Sequence, residues 1–325
     1  MSKVTDKQQE LGESGQNGSE PPRNEPQAEP SDARSDGTDA APTRPKDERF
    51  RLGDLHPRRF LLDTWREIDR DRDRSGRFDP LPLAMVLTVC VGLTFTEYYG
   101  GSATFRLLQR SILEGDGALK PLLESARQST YWELSPHAYW SLTRLFAWVA
   151  LPMLVLLALR RNPLDFGLRW GKSGAHWPLY VLSVAVVIPL VFIVAKRPDF
   201  GNYYPFYKLA GRSYADFFLW QLVYAGQFFA VEFIFRGFMV EAGRRAYGSQ
   251  AIFVMVIPYV MIHYGKPLPE TVGAIIAGVV LGTLAMRTRS IWPGLFVHLL
   301  VAVTMDFAAL SERDALPTEL FPKND

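Results

Sequence analysis

The chain has 325 residues, 48% of them hydrophobic, and a formal charge of +2 from 36 Lys and Arg against 34 Asp and Glu. That balance fits neither a nucleic-acid binder nor an acidic protein, so no nucleic-acid partner is expected. A single cysteine, Cys90, excludes an intramolecular disulfide framework.

Residues 1–49 contain no aromatic residue and only Val4 and Leu11 as large aliphatics, amid recurring Pro, Ser, Glu, Asp, Gly and Gln. Such a segment buries too little apolar area to offset its ordering entropy. It reads as a disordered tail that recruits a protein partner or only tethers the domain. It also lacks the apolar core of a signal peptide, so a cleaved secreted protein is not expected. Residues 50–80 form a charged juxtamembrane segment. Here Leu61, Trp65 and Ile68 recur at helical spacing amid Arg and Asp, which suits a short helix on the cytoplasmic membrane surface or an ordinary packing helix. In DRDRSGRFD, Asp71, Asp73, Ser75, Gly76 and Phe78 follow the spacing of a calcium loop. The twelfth position, which needs a bidentate Glu, is Pro82, so a solvated charged turn is the favoured reading.

The apolar residues then gather into long runs: Leu83–Tyr99, Tyr139–Leu159, Trp177–Ala195, Phe217–Val240, Ala251–Tyr264, Thr271–Met286 and Ile291–Leu310. Crossing hydrocarbon takes about 17 to 25 helical residues, and lipid demands that every backbone polar group be satisfied within its segment. The runs predict an all-α polytopic membrane domain over residues 81–311 with seven spans, six or eight fitting almost as well, and a short tail at 312–325. Arg160, Arg161, Arg169 and Lys172 follow span two, Arg244 and Arg245 follow span four, and Arg287 and Arg289 follow span six. Alternating spans put these loops on one side, which predicts a multi-pass cell-membrane protein with a cytoplasmic N-terminus. Lys196, Arg197, Lys208 and Arg212 fall on the other side, against the trend.

Several short motifs belong to structure more than to chemistry. GLRWGKS, Gly167 to Ser173, has three residues between its glycines where a phosphate loop needs four, and no strand precedes it. GKSG, Gly171 to Gly174, matches the serine tetrapeptide of rhomboid-type intramembrane proteases, but it lies in a charged loop and reads as a polar turn. Gly278 and Gly282, with Ala274 one turn earlier, form a small-residue stripe for close helix packing. Paired internal repeats, the mark of many secondary transporters, are not evident between the two halves.

Ionisable groups at membrane depth are expensive, about 2.5 to 3.5 kcal/mol each on insertion scales, and usually face a bundle interior or a wet cavity. Those singled out are Glu232 and Arg236 on span four, His263 on span five, and His298 and Asp306 on span seven. Glu232 and Arg236 are four apart in the order that favours a helical ion pair. A carboxylate and two imidazoles from three helices together polarise a water or bind a divalent metal, and no HExxH pair decides between these.

EFIFRGF, then YVMIH at Tyr259 to His263, then SIWPGLFVH at Ser290 to His298, resemble the family of CAAX proteases and bacteriocin-processing enzymes (CPBP or Abi), which is similar to the Ras-converting CAAX prenyl endopeptidases. The resemblance spans roughly residues 215–306. It implies Glu-Glu-x-x-x-Arg, Phe-x-x-x-His and His-x-x-x-Asn or Asp motifs on three membrane helices, and cleavage of peptides near a membrane anchor. Here Val231 replaces the first Glu, usually taken to activate the attacking water, Tyr259 replaces Phe, and Ala302 replaces the Asn or Asp that helps hold the oxyanion. Glu232, helped by His263 and His298, is therefore expected to activate water, with Arg236 positioning Glu232 and Asp306 or a backbone group standing in for the lost Asn. The implied partners are a membrane-anchored peptide or protein substrate and the bilayer. The two lost polar groups favour an alternative, an inactive membrane scaffold with the same fold. Counting about 1.5 Å per residue puts Glu232 and His298 at similar depth but groups His263 with Asp306. Either span five starts later than drawn, or Asp306 orients His263 in a second layer, with Lys266 to Glu270 closing the outer end.

Overall fold

The computed structural model describes residues 53, 56–70 and 72–323; the 1–49 tail and Asp71 of the calcium-like segment lie outside the described residues. The protein is an all-α polytopic membrane protein, with no strand among the described residues.

After the short α1 (Thr64–Arg70), the first membrane helix is α2 (Pro80–Tyr99). The Asp79 carboxylate accepts from the Leu81 amide and Pro80 opens the first turn, where its missing N–H costs nothing. Helices α3 (Ser102–Glu114) and α4 (Leu119–Arg127) form an amphipathic hairpin leading to the second span, Trp132–Ala158. That span joins α5 (Ser135–Leu145) to α6 (Leu151–Ala158) through a π turn at Phe146–Ala150, just before Pro152 removes a backbone donor. The third is α7 (Ser173–Ala195), followed by the short α8 (Pro198–Tyr203). The fourth, Tyr214–Tyr247, comprises α9 (Tyr214–Val231), a π segment Glu232–Met239 and α10 (Val240–Tyr247). Next come α11 (Gln250–Met261), α12 (Leu268–Thr288) and α13 (Trp292–Ser311).

Six of these helices are long and apolar enough to cross a membrane. The fifth expected span, α11, has 12 residues, so it rises about 18 Å, well under the roughly 30 Å of hydrocarbon. The π segment occupies the centre of the bundle: all eight of its residues are buried, and Phe233, Phe235 and Phe238 share a core with Met85, Trp148 and Ile291. Outward-facing Leu, Val and Ile on α2, α7 and α12 remain exposed, as lipid contact allows.

The basic loops meet at one end. Arg161 reaches Asp79 at 3.5 Å and Arg289 reaches Glu241 at 2.7 Å, gathering the starts of α2 and α10 and the ends of α6 and α12. Three of the four cations that broke the charge trend are locally satisfied at the other end: Arg197 pairs with Asp199, Arg212 pairs with Asp216, and Lys208 donates to the carbonyls of Asn202 and Tyr203. Helix α1 packs on the bundle: Ile68 is buried, the Trp65 indole donates to Thr283 at 3.1 Å, and the Asp69 carboxylate accepts from the Ser249 amide and hydroxyl at the head of α11. The calcium-like segment is a charged turn in which Asp73 accepts from the Ser75 amide while its own amide donates to Arg245. Ser173 of the GKSG turn is buried and donates to the Trp170 carbonyl.

The small-residue stripe packs α12 on α11. A Cβ on Gly278 would stand 2.9 Å from Val256 and 3.2 Å from Tyr259, and one on Gly282 would stand 2.8 Å from Met255. Gly282→Leu is therefore expected to lower stability by about 1–3 kcal/mol through overpacking. Gly273→Leu, with nothing within 4 Å of the new Cβ, is expected to be nearly neutral. Thermal unfolding of both variants in detergent checks the contrast.

Candidate active site

The π segment sets the geometry. Its wider turn is a recurrent feature of functional sites, and here it begins at Glu232 and carries Arg236 one turn on. Glu232 Oε1 lies 2.8 Å from His298 Nδ1 and 3.4 Å from Arg236 Nη1, with both acid and guanidinium at most 1% exposed. The Arg236 approach is an ion-pair contact and the His298 approach a close polar contact, neither of them a well-aligned hydrogen bond. The Arg236 guanidinium lies flat against Tyr259, its carbon 3.8 Å from the ring centroid, so an aromatic face supplies much of the solvation that water cannot. Gly294 is the residue that admits the acid: a Cβ there would meet Glu232 Oε2 at 2.7 Å.

Tyr259 is the hub that the sequence reading treated only as a mild replacement for Phe. Its hydroxyl lies 3.2 Å from His298 Nε2, its ring is 4.7 Å from the His263 ring, and its carbonyl lies 2.7 Å from His263 Nδ1. A carbonyl only accepts, so His263 carries its proton on Nδ1 and turns Nε2 away from the backbone. A carboxylate likewise only accepts, so His298 carries its proton on Nδ1, toward Glu232. His263 therefore presents Nε2 as a free edge, whereas His298 Nε2 faces the Tyr259 hydroxyl.

The two rings line two connected hollows. One, about 510 Å³, runs between α2, α5, α9 and the end of α11; the other, about 250 Å³ and mainly apolar, runs between α7, α12 and α13. Tyr224, Phe228, Tyr259, His263, Lys266 and His298 belong to both. Glu232 and Arg236 line neither, since they sit behind His298 and Tyr259. At the outer mouth Lys266 pairs with Glu270 at 2.6 Å, and Glu270 also accepts a hydrogen bond from Tyr204. Burial, reinforced by neighbouring Tyr224 and Glu270, holds the Tyr204 phenol well above its ordinary pKa, so it stays a donor.

Four of the five sequence-chosen residues thus come together, and Asp306 does not. Asp306 lies two turns past His298, fully buried, and accepts from the Trp220 indole at 2.7 Å and the Gln221 amide at 2.8 Å. The expected second layer pairing Asp306 with His263 is therefore corrected: His263 is tied to Tyr259, because the short α11 ends at Met261 and turns His263 back toward His298. Val231 and Ala302 are buried apolar residues, as their identities require. Sequence reasoning passed over Arg144 and Gln227, which line the larger hollow; Arg144 was signalled by a charge in the middle of an apolar run. Among the described residues no group of three His, Cys, Asp or Glu is disposed to hold a metal, because Glu232 meets His298 on the side away from the cavity.

Removing one partner of a buried ion pair costs about 3–5 kcal/mol, because it strands the other charge. Arg236→Met is expected to destabilise the protein by that amount, and adding Glu232→Gln is expected to recover a substantial part. Chemical or thermal unfolding of both variants in detergent checks the coupling.

No curated protein and no solved structure matches the chain. Residues 213–304, which carry α9, the π segment, α10 to α12 and the first two-thirds of α13, match the family model described as Type II CAAX prenyl endopeptidase Rce1-like, so this part of the chain is similar to that family.

Proposed function

We propose that the protein is an intramembrane endopeptidase that hydrolyses a peptide bond near a membrane anchor, with His298 as the general base and Glu232 as the group that positions it. The observation that carries this reading is the sequence of contacts Arg236 to Glu232 to His298, with the Nε2 edge of His298 turned toward Tyr259 and a cavity that His263 shares.

In the proposed reaction a water seated between the two imidazoles attacks the scissile carbonyl. His298 Nε2 takes its proton, and Glu232 steadies the imidazolium from the far side. Collapse of the tetrahedral intermediate breaks the C–N bond, and the proton held by His298 passes to the leaving amine. Tyr259 Oη and His263 are the groups nearest the place where negative charge develops on the carbonyl oxygen. This reading moves Glu232 from direct base to positioning residue, because the acid lies behind His298 and outside the cavity. His263 and His298 are the residues that would hold a divalent metal, which would supply Lewis-acid chemistry at this site. The tail at 1–49 is proposed to face the cytoplasm of a cell-membrane protein, on the side where the basic loops gather.

The scaffold alternative draws on one observation, the apolar Val231 and Ala302 where the family carries polar groups. The two readings part in a cleavage assay on a fluorogenic membrane-peptide library in bilayers. His298→Ala and His263→Ala are each expected to lower turnover at least about a hundredfold, the scale of one lost acid–base or charge-stabilising group. Turnover that survives in His298→Ala would sink the mechanism, and none from folded wild type would favour the scaffold. A chelator that stops wild-type turnover would show that the reaction needs a metal.

A further inference from the structure

We propose that Arg144 and Gln227 form an anion-binding subsite in the larger hollow, which seats a carboxylate of the substrate peptide. The proposal rests on the protease reading and names what that cavity recognises.

Arg144 lies near the middle of the second membrane helix, twelve residues from Trp132 and fourteen from Ala158, so about 18 and 21 Å from its ends. A guanidinium at that depth is costly, and it does not escape to either surface. It stacks against Trp140, with its carbon 4.4 Å from that ring and 5.2 Å from the Trp148 ring, and Nη1 donates to the Trp140 carbonyl at 3.1 Å. Such stacking holds the planar fork in place and leaves most of its donors to the cavity that Arg144 lines.

The ionisable residues around this hollow are Glu97, Arg144, His263, Lys266 and His298. Lys266 is already paired with Glu270. Glu97 lines the same hollow from α2, on an exposed position, and lies near enough to act on Arg144 electrostatically, but makes no ion pair with it among the described residues. Arg144 is thus the cation of this cavity without an ion-paired acid.

Gln227 adds the second polar element. It is 8% exposed and is the only carboxamide that lines the hollow among the described residues; its buried oxygen is an acceptor without a partner, so its N–H2 end is the part that serves an anion. Ser141 donates to the Val223 carbonyl at 2.8 Å and sits against Gly226, where a Cβ would come within 2.9 Å of its oxygen. This contact sets α5 and α9 side by side, so that residues 144 and 227, three and four positions further on, occupy neighbouring levels. A carboxylate there receives two N–H groups from the guanidinium fork and one from the amide, a charge-assisted arrangement. Two sources present that chemistry: the free C-terminus of a peptide, or an acidic side chain.

The test measures binding and needs no turnover. Full-length Glu232→Gln protein in nanodiscs is titrated with one acyl-anchored, fluorescently labelled hexapeptide in three forms: free acid, C-terminal amide, and amide with Asp at the penultimate position. Empty nanodiscs give the background. A carboxylate-bearing form is expected to bind about tenfold or more tightly than the neutral amide, the scale of one hydrogen bond to a charged group. Arg144→Gln is expected to bring the ratio close to one, Arg144→Lys to retain part of it, and Gln227→Leu to reduce it. A preference for the free acid assigns the subsite to the chain terminus; a preference for the Asp form assigns it to an internal acid. Equal affinity for all three peptides, or a preference that persists in Arg144→Gln, would overturn the proposal. Because Gln227→Leu leaves the guanidinium and its two Trp neighbours in place, the test stands even if Arg144→Gln fails to fold. Wild-type protein that binds the acid form but cleaves nothing would refute the protease reading and leave the subsite standing.

Discussion

The structure turns on a single constraint, the burial of a carboxylate, a guanidinium and an imidazole together at the centre of a membrane-spanning bundle. None of the three is tolerable there alone. Glu232 is neutralised from two sides, by Arg236 along its own helix and by His298 from α13, while the Tyr259 ring covers the guanidinium. Each of these contacts requires a particular backbone feature. The π segment gives the wide turn that carries both charges, Gly294 lets α13 approach the acid, and Gly278 lets α12 press α11 so that Tyr259 reaches its place. The core phenylalanines on the same π segment seal the set from lipid.

From that constraint the cavity follows. Once Glu232 holds Nδ1 of His298 and the Tyr259 carbonyl holds Nδ1 of His263, both rings are fixed with their other nitrogens toward the shared hollow. Second-shell contacts of this kind set tautomer and orientation in bases and metal ligands alike. The apolar hollow beyond, between α7 and α12, is lined by Gly273, Ala274, Ala277 and Ala302, whose small side chains leave room where a longer one would fill it.

Much of this was legible in the chain itself. Six of the seven expected spans are membrane helices, with ends shifted by at most seven residues, because hydrocarbon thickness and backbone satisfaction leave little choice. Glu232, Arg236, His263 and His298 stood out for the same reason, as charges and imidazoles where lipid penalises them. What pattern could not supply was depth. Counting rises along straight helices grouped His263 with Asp306, whereas a short α11 and the turn after it return His263 to His298. Asp306 resembled a site residue by cost alone, yet it is satisfied by Trp220 and Gln221, contacts between distant helices that no local spacing encodes. Tyr259 was undervalued because its ring, carbonyl and hydroxyl act on three partners from two other elements and its own turn. Arg144 was hidden by averaging, one charge in a long apolar run.

The claim on which the account rests is that Glu232 fixes His298 with its proton on Nδ1 and its Nε2 edge turned to the cavity. Nitrogen NMR of the protein in nanodiscs, with histidine labelled at both ring nitrogens and His298 assigned through His298→Ala, measures this directly. The account predicts a protonated Nδ1 on His298 whose signal moves in Glu232→Gln, while the His263 signal stays in place. A bare Nδ1 on His298, or a His298 signal indifferent to Glu232→Gln, would contradict it.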